Sequence, residues 1–165
     1  MSQRAEALAK RIEQGAQALA AYAEGLSDAQ WRTVVPPDGR TVGVIINHVA
    51  SVYPIEIHLA MELASGRRIE GVTWAVVADM NAKHAREKAA VGRKETIELL
   101  RTNSRAAADA VRALTDAQLD SAAPVSLNAD APLTAQFIIE DHALRHSWHH
   151  FAKIRAVLET VAAVA

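Results

Sequence analysis

The chain has 165 residues, 18 Lys plus Arg against 19 Asp plus Glu, a net charge of −1 and no cysteine. Its length suits a single domain spanning 1–165, and its charge balance offers no electrostatic reason to expect nucleic acid or an anionic membrane as partner. The missing cysteines exclude a disulfide framework, a thiolate metal site and a cysteine nucleophile, in keeping with a cytoplasmic protein. Half of the residues are hydrophobic but only 4% are aromatic, so the core must be mainly aliphatic. The N-terminal "MSQRAEALAKRIEQ" is charged throughout and has no apolar signal core. No stretch reads as apolar enough over the about 20 residues that a bilayer crossing needs.

The first element spans 2–26. Ala5, Leu8, Ile12, Ala16, Leu19, Ala23 and Leu26 recur at alternating spacings of three and four, which is an amphipathic helix. After the breaker "PPDG", Thr41 is a good N-cap for a second helix running to Ser65-Gly66. Its seam reads Ile45, His48, Val52, Ile55, Leu59. Pro54 lies inside it, where the ring cannot donate to the carbonyl of Ala50 and predicts a kink. A third helical stretch covers 74–91 and ends near Gly92. A fourth covers 93–114, with Ile97, Leu100, Ala107, Val111 and Leu114 on one side. The last helix is expected to start around Asp130-Ala131-Pro132, proline being tolerated in the first turn, and to run nearly to the C-terminus. No alternating β-branched run predicts a strand, so the chain reads as all-α. A short internal echo relates "LSDAQW" at 26–31 to "LTDAQL" at 114–119. Each holds a capping box, Ser27 with Gln30 and Thr115 with Gln118, and each leads through a proline-containing loop toward a histidine-bearing helix. A two-fold relation of that kind would bring those two helices together.

Four of the seven histidines fall within "HALRHSWHH", residues 142–150. At 100° per residue, one seam of the last helix reads Ile139, Ala143, His146, His150, Ile154, Val157, Val161. His146 and His150 stand i, i+4 on it, the spacing by which a helical H-E-x-x-H grips zinc. His142 and His149 point toward Arg145 and Lys153. A separate stripe of Phe137, Leu144, Trp148, Phe151 and Leu158 is also apolar and offers a surface for packing within the protomer or against a second copy. His48 sits on the seam of the second helix. Three inward imidazoles need partners, and a divalent ion bound by His48, His146 and His150 satisfies them with a coordination position left for a ligand. Hydrogen bonding to carboxylates or carbonyls is the plainer alternative, and His142 with His146 is a competing i, i+4 pair. His58 and His84 read as surface residues, the latter among Lys83, Arg86, Glu87 and Lys88.

With these residues placed, the sequence resembles the DinB-like superfamily of bacterial four-helix proteins over nearly its whole length. "TVGVIINHVAS" is similar to the segment presenting the first family histidine, "DMNAKHAREKAAVGRKETIELLRTN" to the middle segment, and "HSWHHFAKIRAVL" to the C-terminal H-x-x-x-H helix. By motif position the family's ligands fall on His48, His146 and His150. The resemblance implies a four-helix bundle with short extra helical connectors, a bound divalent metal (zinc, nickel, iron or manganese) and often a homodimer. Some members, including mycothiol- and bacillithiol-dependent S-transferases and maleylpyruvate isomerase, use the metal to activate a low-molecular-weight thiol toward a small-molecule substrate. Where several members carry Arg-Gly-Gln after the second C-terminal histidine, this chain has Phe151-Ala152-Lys153. The expected activity is therefore a metal-dependent thiol S-transferase. The alternatives are a metal-dependent hydrolase and a non-enzymatic metal- or ligand-binding helical dimer.

Overall fold

The computed structural model describes residues 2–164, with the backbone alone for Val164. Its helices are α1 (Gln3–Glu24), α2 (Asp28–Arg32), α3 (Val42–Ala64), α4 (Trp74–Glu87), α5 (Arg93–Arg112), α6 (Asp116–Asp120), α7 (Ala135–Ile138) and α8 (Arg145–Val164). A six-residue π-helical segment, Ile139–Leu144, joins α7 to α8, so that 135–164 form one long rod. The bundle consists of α1, α3, α5 and this rod. α5 lies along both α1 and α3, and the rod closes against α1 and α3.

The periodic seams of α1 and α5 are buried as their spacing predicts. Leu8, Ile12 and Leu19 face Leu100, Ala107 and Val111 in one continuous core with few aromatic rings. α3 departs from its predicted seam. Ile45 and His48 are inside, but Ile55 is exposed, and the helix also buries Ile46, Val49, Tyr53, Glu56 and Ile57. The reason is position: α3 packs against both α5 and the rod, so its buried arc is wider than one seam. The same wide apolar arc gives α3 the length and composition of a membrane span, contrary to expectation, yet 67% of that window is buried inside the protein. The helix runs through Pro54 to Ala64, and the Ala50 carbonyl that proline cannot serve accepts a hydrogen bond from Asn103 Nδ2 at 2.8 Å.

Two strands that the sequence did not predict, β1 (Ala122–Val125) and β2 (Ala131–Thr134), form an antiparallel hairpin. Its sequence lacks β-branched alternation. It is held instead by a turn with Ala129 and Asp130 in the left-handed region and by docking onto 69, where Ile69 N–H donates to the Pro124 carbonyl and Ser126 N–H to that of Ile69. Pro124 and Pro132 face each other, tolerable because the Pro124 carbonyl points outward to Ile69 and neither proline has to donate across the pair. Asp130-Ala131-Pro132 is therefore the turn into β2. The helix begins four residues later, capped by Thr134, whose Oγ1 accepts from Phe137 N–H. The third helical stretch likewise ends at Glu87, ahead of the expected 91.

Both predicted capping boxes form, and the likeness extends beyond them. Trp31 and Leu119 are buried at matching positions. Val42 N–H donates to the carbonyl of Thr33, the residue closing α2, at 2.9 Å; Ala135 N–H donates to that of Ser121, the residue closing α6, at 3.0 Å. Thr41 caps α3 as Thr134 caps α7. Val34 bridges antiparallel to Thr41 where β1 pairs with β2. Gly43 has a specific task here: a Cβ at that position would lie 2.4 Å from the Trp31 ring, so only glycine lets Trp31 lie flat on the start of α3.

Candidate metal centre

α3 brings His48, and α8 brings His146 and His150 on successive turns. One ring nitrogen from each lies within 4.8 Å of the other two. Ring centroids are 5.0 Å apart for His48–His146, 5.6 Å for His48–His150 and 4.8 Å for His146–His150. The other C-terminal histidines are not among the three whose nitrogens converge: His149 is exposed, its ring edge-on to His150 at 5.3 Å, and His142, half-buried in the π-helical segment, lies 3.8 Å from Asp141.

His146 Nδ1 lies 2.6 Å from Oε1 of Glu56, which α3 presents eight residues after His48. With Nδ1–H donating to that carboxylate, Nε2 carries the free lone pair, the carboxylate–histidine arrangement that orients and strengthens a metal ligand. Next to His146, Ser147 Oγ shares a 2.5 Å hydrogen bond with Tyr53 of α3, fully buried, which fixes α8 against α3 at ligand height. Burial pushes the Tyr53 hydroxyl up to about 12.

Burial also sets the charge of the imidazoles. It pushes His48 down to about 3, helped by His146 and Arg40, and His150 down to about 2, helped by His146 and His48. Both are neutral near pH 7, the form that binds metal. Three imidazoles with converging nitrogens, one of them braced by a buried carboxylate, fit a divalent cation. His48, His146 and His150 would hold it.

His84 is not the surface residue that its charged neighbours predict. α4 lays it over the cluster, 5.6 Å from His48 in an edge-on arrangement. Its Nε2 is 2.9 Å from Asn47 Oδ1, and Asn47 Nδ2 donates to Thr96 Oγ1 at 3.1 Å. That order makes His84 Nε2 the donor and leaves Nδ1, buried and without a protein partner, as an acceptor. Burial, and then Arg40, lower its pKa. Sequence reasoning also missed Glu56. Its available signal was an acid set among apolar neighbours in "YPIEIHLA". For His84 the sequence carries no comparable signal, because the contact depends on where α4 docks.

The DinB superfamily model matches residues 11–154. The chain belongs to the DinB superfamily. No curated protein matches it. Among solved structures it is similar to YfiT from Bacillus subtilis, described as a probable metal-dependent hydrolase with an unusual four-helix bundle topology. The identity is 16% and the TM-score 0.79, over 98% of this chain and 90% of that one. At this identity the likeness establishes the shared bundle.

Proposed function

We propose that this DinB protein is a metal-dependent S-transferase that takes a low-molecular-weight thiol and a small electrophilic substrate at the His48–His146–His150 centre. When bound, a divalent ion such as zinc, nickel, iron or manganese lowers the pKa of a thiol or water it coordinates and can polarise a carbonyl. The residues supply what such chemistry requires. His48 and His150 stay neutral by burial, Glu56 holds the His146 tautomer, and the Tyr53–Ser147 bond keeps the two helices in register. The observation that carries the reading is the convergence of three imidazoles, two buried and one half-buried, in a chain without cysteine, so that a thiol nucleophile must come from outside.

A second reading, with water in place of the thiol, is favoured by the description of YfiT as a probable metal-dependent hydrolase. The two separate in one assay on metal-free and reconstituted protein. Metal-dependent loss of free thiol in the presence of an electrophile supports the transferase. Metal-dependent ester or amide cleavage without thiol supports the hydrolase. Neither, with metal still bound, leaves a binding module. We also propose a homodimer built on the outward stripe of the rod, where Phe137 and Trp148 are 42% and 43% exposed. A monomer by sedimentation at micromolar concentration would refute it.

A further inference from the structure

Among the described residues, five buried side-chain nitrogens or oxygens have no hydrogen-bond partner, and four of them belong to Arg40, Glu56, His84 and His150. Unpaired buried polar atoms are costly, and these four are gathered around one site, whereas the fifth, Nε of Arg93, belongs to a side chain that lies over Trp31 and reaches Asp28. Of the four, Arg40 is the one guanidinium. It stands just before the cap of α3, in a loop that Gly39, at φ +80°, turns back on itself. The side chain is 14% exposed. Nε and Nη2 grip the two oxygens of Asp38 at 2.5 and 2.7 Å, and Nη1 is buried with no partner. Its charge is felt at His48, His84 and His150, and it is the strongest charged influence on His84, which touches His48.

A clasp needed only to hold a loop would be satisfied at Asp38, and a buried ion pair is weak evidence of a stabilising role. The formal charges say more. Arg40 and Asp38 cancel, Glu56 contributes −1, the histidines are neutral, and a divalent ion adds +2, leaving the loaded site at +1. Until a thiol or water on the ion gives up its proton, that charge favours an anionic over a neutral small molecule, and a guanidinium edge suits an anion's oxygens.

We infer that Arg40 is a substrate-binding residue whose free Nη1 edge receives an anionic oxygen, so that the small molecule taken by this centre carries a carboxylate or phosphate group. The inference names the substrate class for the proposed metal centre and rests on that reading. It is tested with acetate and inorganic phosphate as probes and acetamide as the neutral control. Each is titrated into the metal-free protein, followed through the imidazole resonances of His84 and His150, and into the cobalt(II)-loaded protein, followed by its visible absorption. The wild type binds both anions and not acetamide. Arg40→Met weakens anion binding at least tenfold with cobalt stoichiometry unchanged, and Arg40→Lys loses less. Asp38→Asn, which frees the whole guanidinium, tightens anion binding, a change of sign that misfolding cannot produce. Anion affinity equal in wild type and Arg40→Met, or acetamide binding like acetate, overturns the proposal. Failure of the wild type to take up cobalt refutes the metal centre, and the metal-free titration then decides Arg40 separately.

Discussion

The stretch from Ser27 to Thr41 and the stretch from Thr115 to Thr134 each deliver a histidine-bearing helix to the centre, by the same sequence of local devices. A capping box starts a five-residue helix, a large apolar residue anchors it, antiparallel pairing returns the chain, and a threonine caps the next helix. The second connector is five residues longer between the closing residue and the cap, 121 to 134 against 33 to 41. Beyond the caps the two diverge. α3 is regular and offers His48 seven residues after Thr41. Seven and eight residues after Thr134 stand Asp141 and His142, inside a π-helical segment and outside the cluster. The imidazoles that converge with His48 come from the next turns, at His146 and His150. The framing of the helices is thus repeated while the chemistry is not: each half places its helix alike, and the π turn decides which histidines arrive.

The largest contrast should lie between histidines on either side of that turn. His48→Ala and His150→Ala are expected to abolish stoichiometric metal binding, because each removes one of three ligands, while His142→Ala retains about one ion per chain. Elemental analysis after dialysis decides it. Loss of the ion in His142→Ala with retention in His150→Ala would reverse the assignment.

Deleting Asp141 separates the π segment from the facing of α8. A π segment accommodates one residue more than an α-helix, so its removal should restore α geometry while leaving α8 in nearly the same rotational register on α7, and the variant should keep about one ion per chain. Deleting Glu140 as well removes a residue that α geometry needs and should turn α8 by about 100° relative to α7. With α8 no longer presenting both imidazoles to His48, metal affinity should then fall roughly 100-fold, at the upper end of what lost ligand orientation costs, in a protein that keeps its helical circular dichroism. Loss of the ion already in the single deletion would mean that the π segment itself, and not the register it preserves, positions the two imidazoles.

Acid should find the two helices equally vulnerable, since each buries one neutral histidine. In the metal-free protein, His48 at about 3 and His150 at about 2 lie far below the unfolded value of about 6.5. Above that value neither titrates in either state. Below it the unfolded chain takes up protons that the folded one refuses, so stability falls as pH drops from about 6.5 toward 3. Between pH 7.5 and 5.5 the pair should lose about 2–3 kcal/mol, read from urea midpoints. Replacing either histidine with glutamine should remove about half of that slope. A flat profile in the wild type would mean that the two imidazoles are not buried as described.

The helices and the trio were legible because each depends on spacing within a single element: the alternating seam of α1, and His146 and His150 one turn apart. What escaped depends on contacts between elements. The hairpin at 122–134 is fixed by its docking on Ile69, and its "AAPV" and "APLT" carry no strand propensity. Ile55 faces solvent because the arc that α3 buries against α5 and the rod is centred on Val49, Tyr53 and Ala60, on the other side of the helix. His84 and Arg40 enter the site only through the positions of α4 and of the loop before α3, and the π turn has no sequence signature in "IEDHAL".

The smallest expected effect tests the shared frame itself. Thr41 and Thr134 each accept a hydrogen bond from the backbone N–H three residues on, at 3.3 and 3.1 Å. Thr41→Ala and Thr134→Ala should each cost about 1 kcal/mol, the usual value of an N-cap. In a chain of this size that shifts the melting temperature by about 2–4 °C. Neither variant should lose metal, because the caps lie two to four turns from the ligands they frame. Equal losses support one device used twice. A clearly larger loss in Thr134→Ala would show that its second role, pairing with Ala122 at the end of the hairpin, bears on stability beyond the cap, so that the longer connector depends on its strand as well as on its threonine.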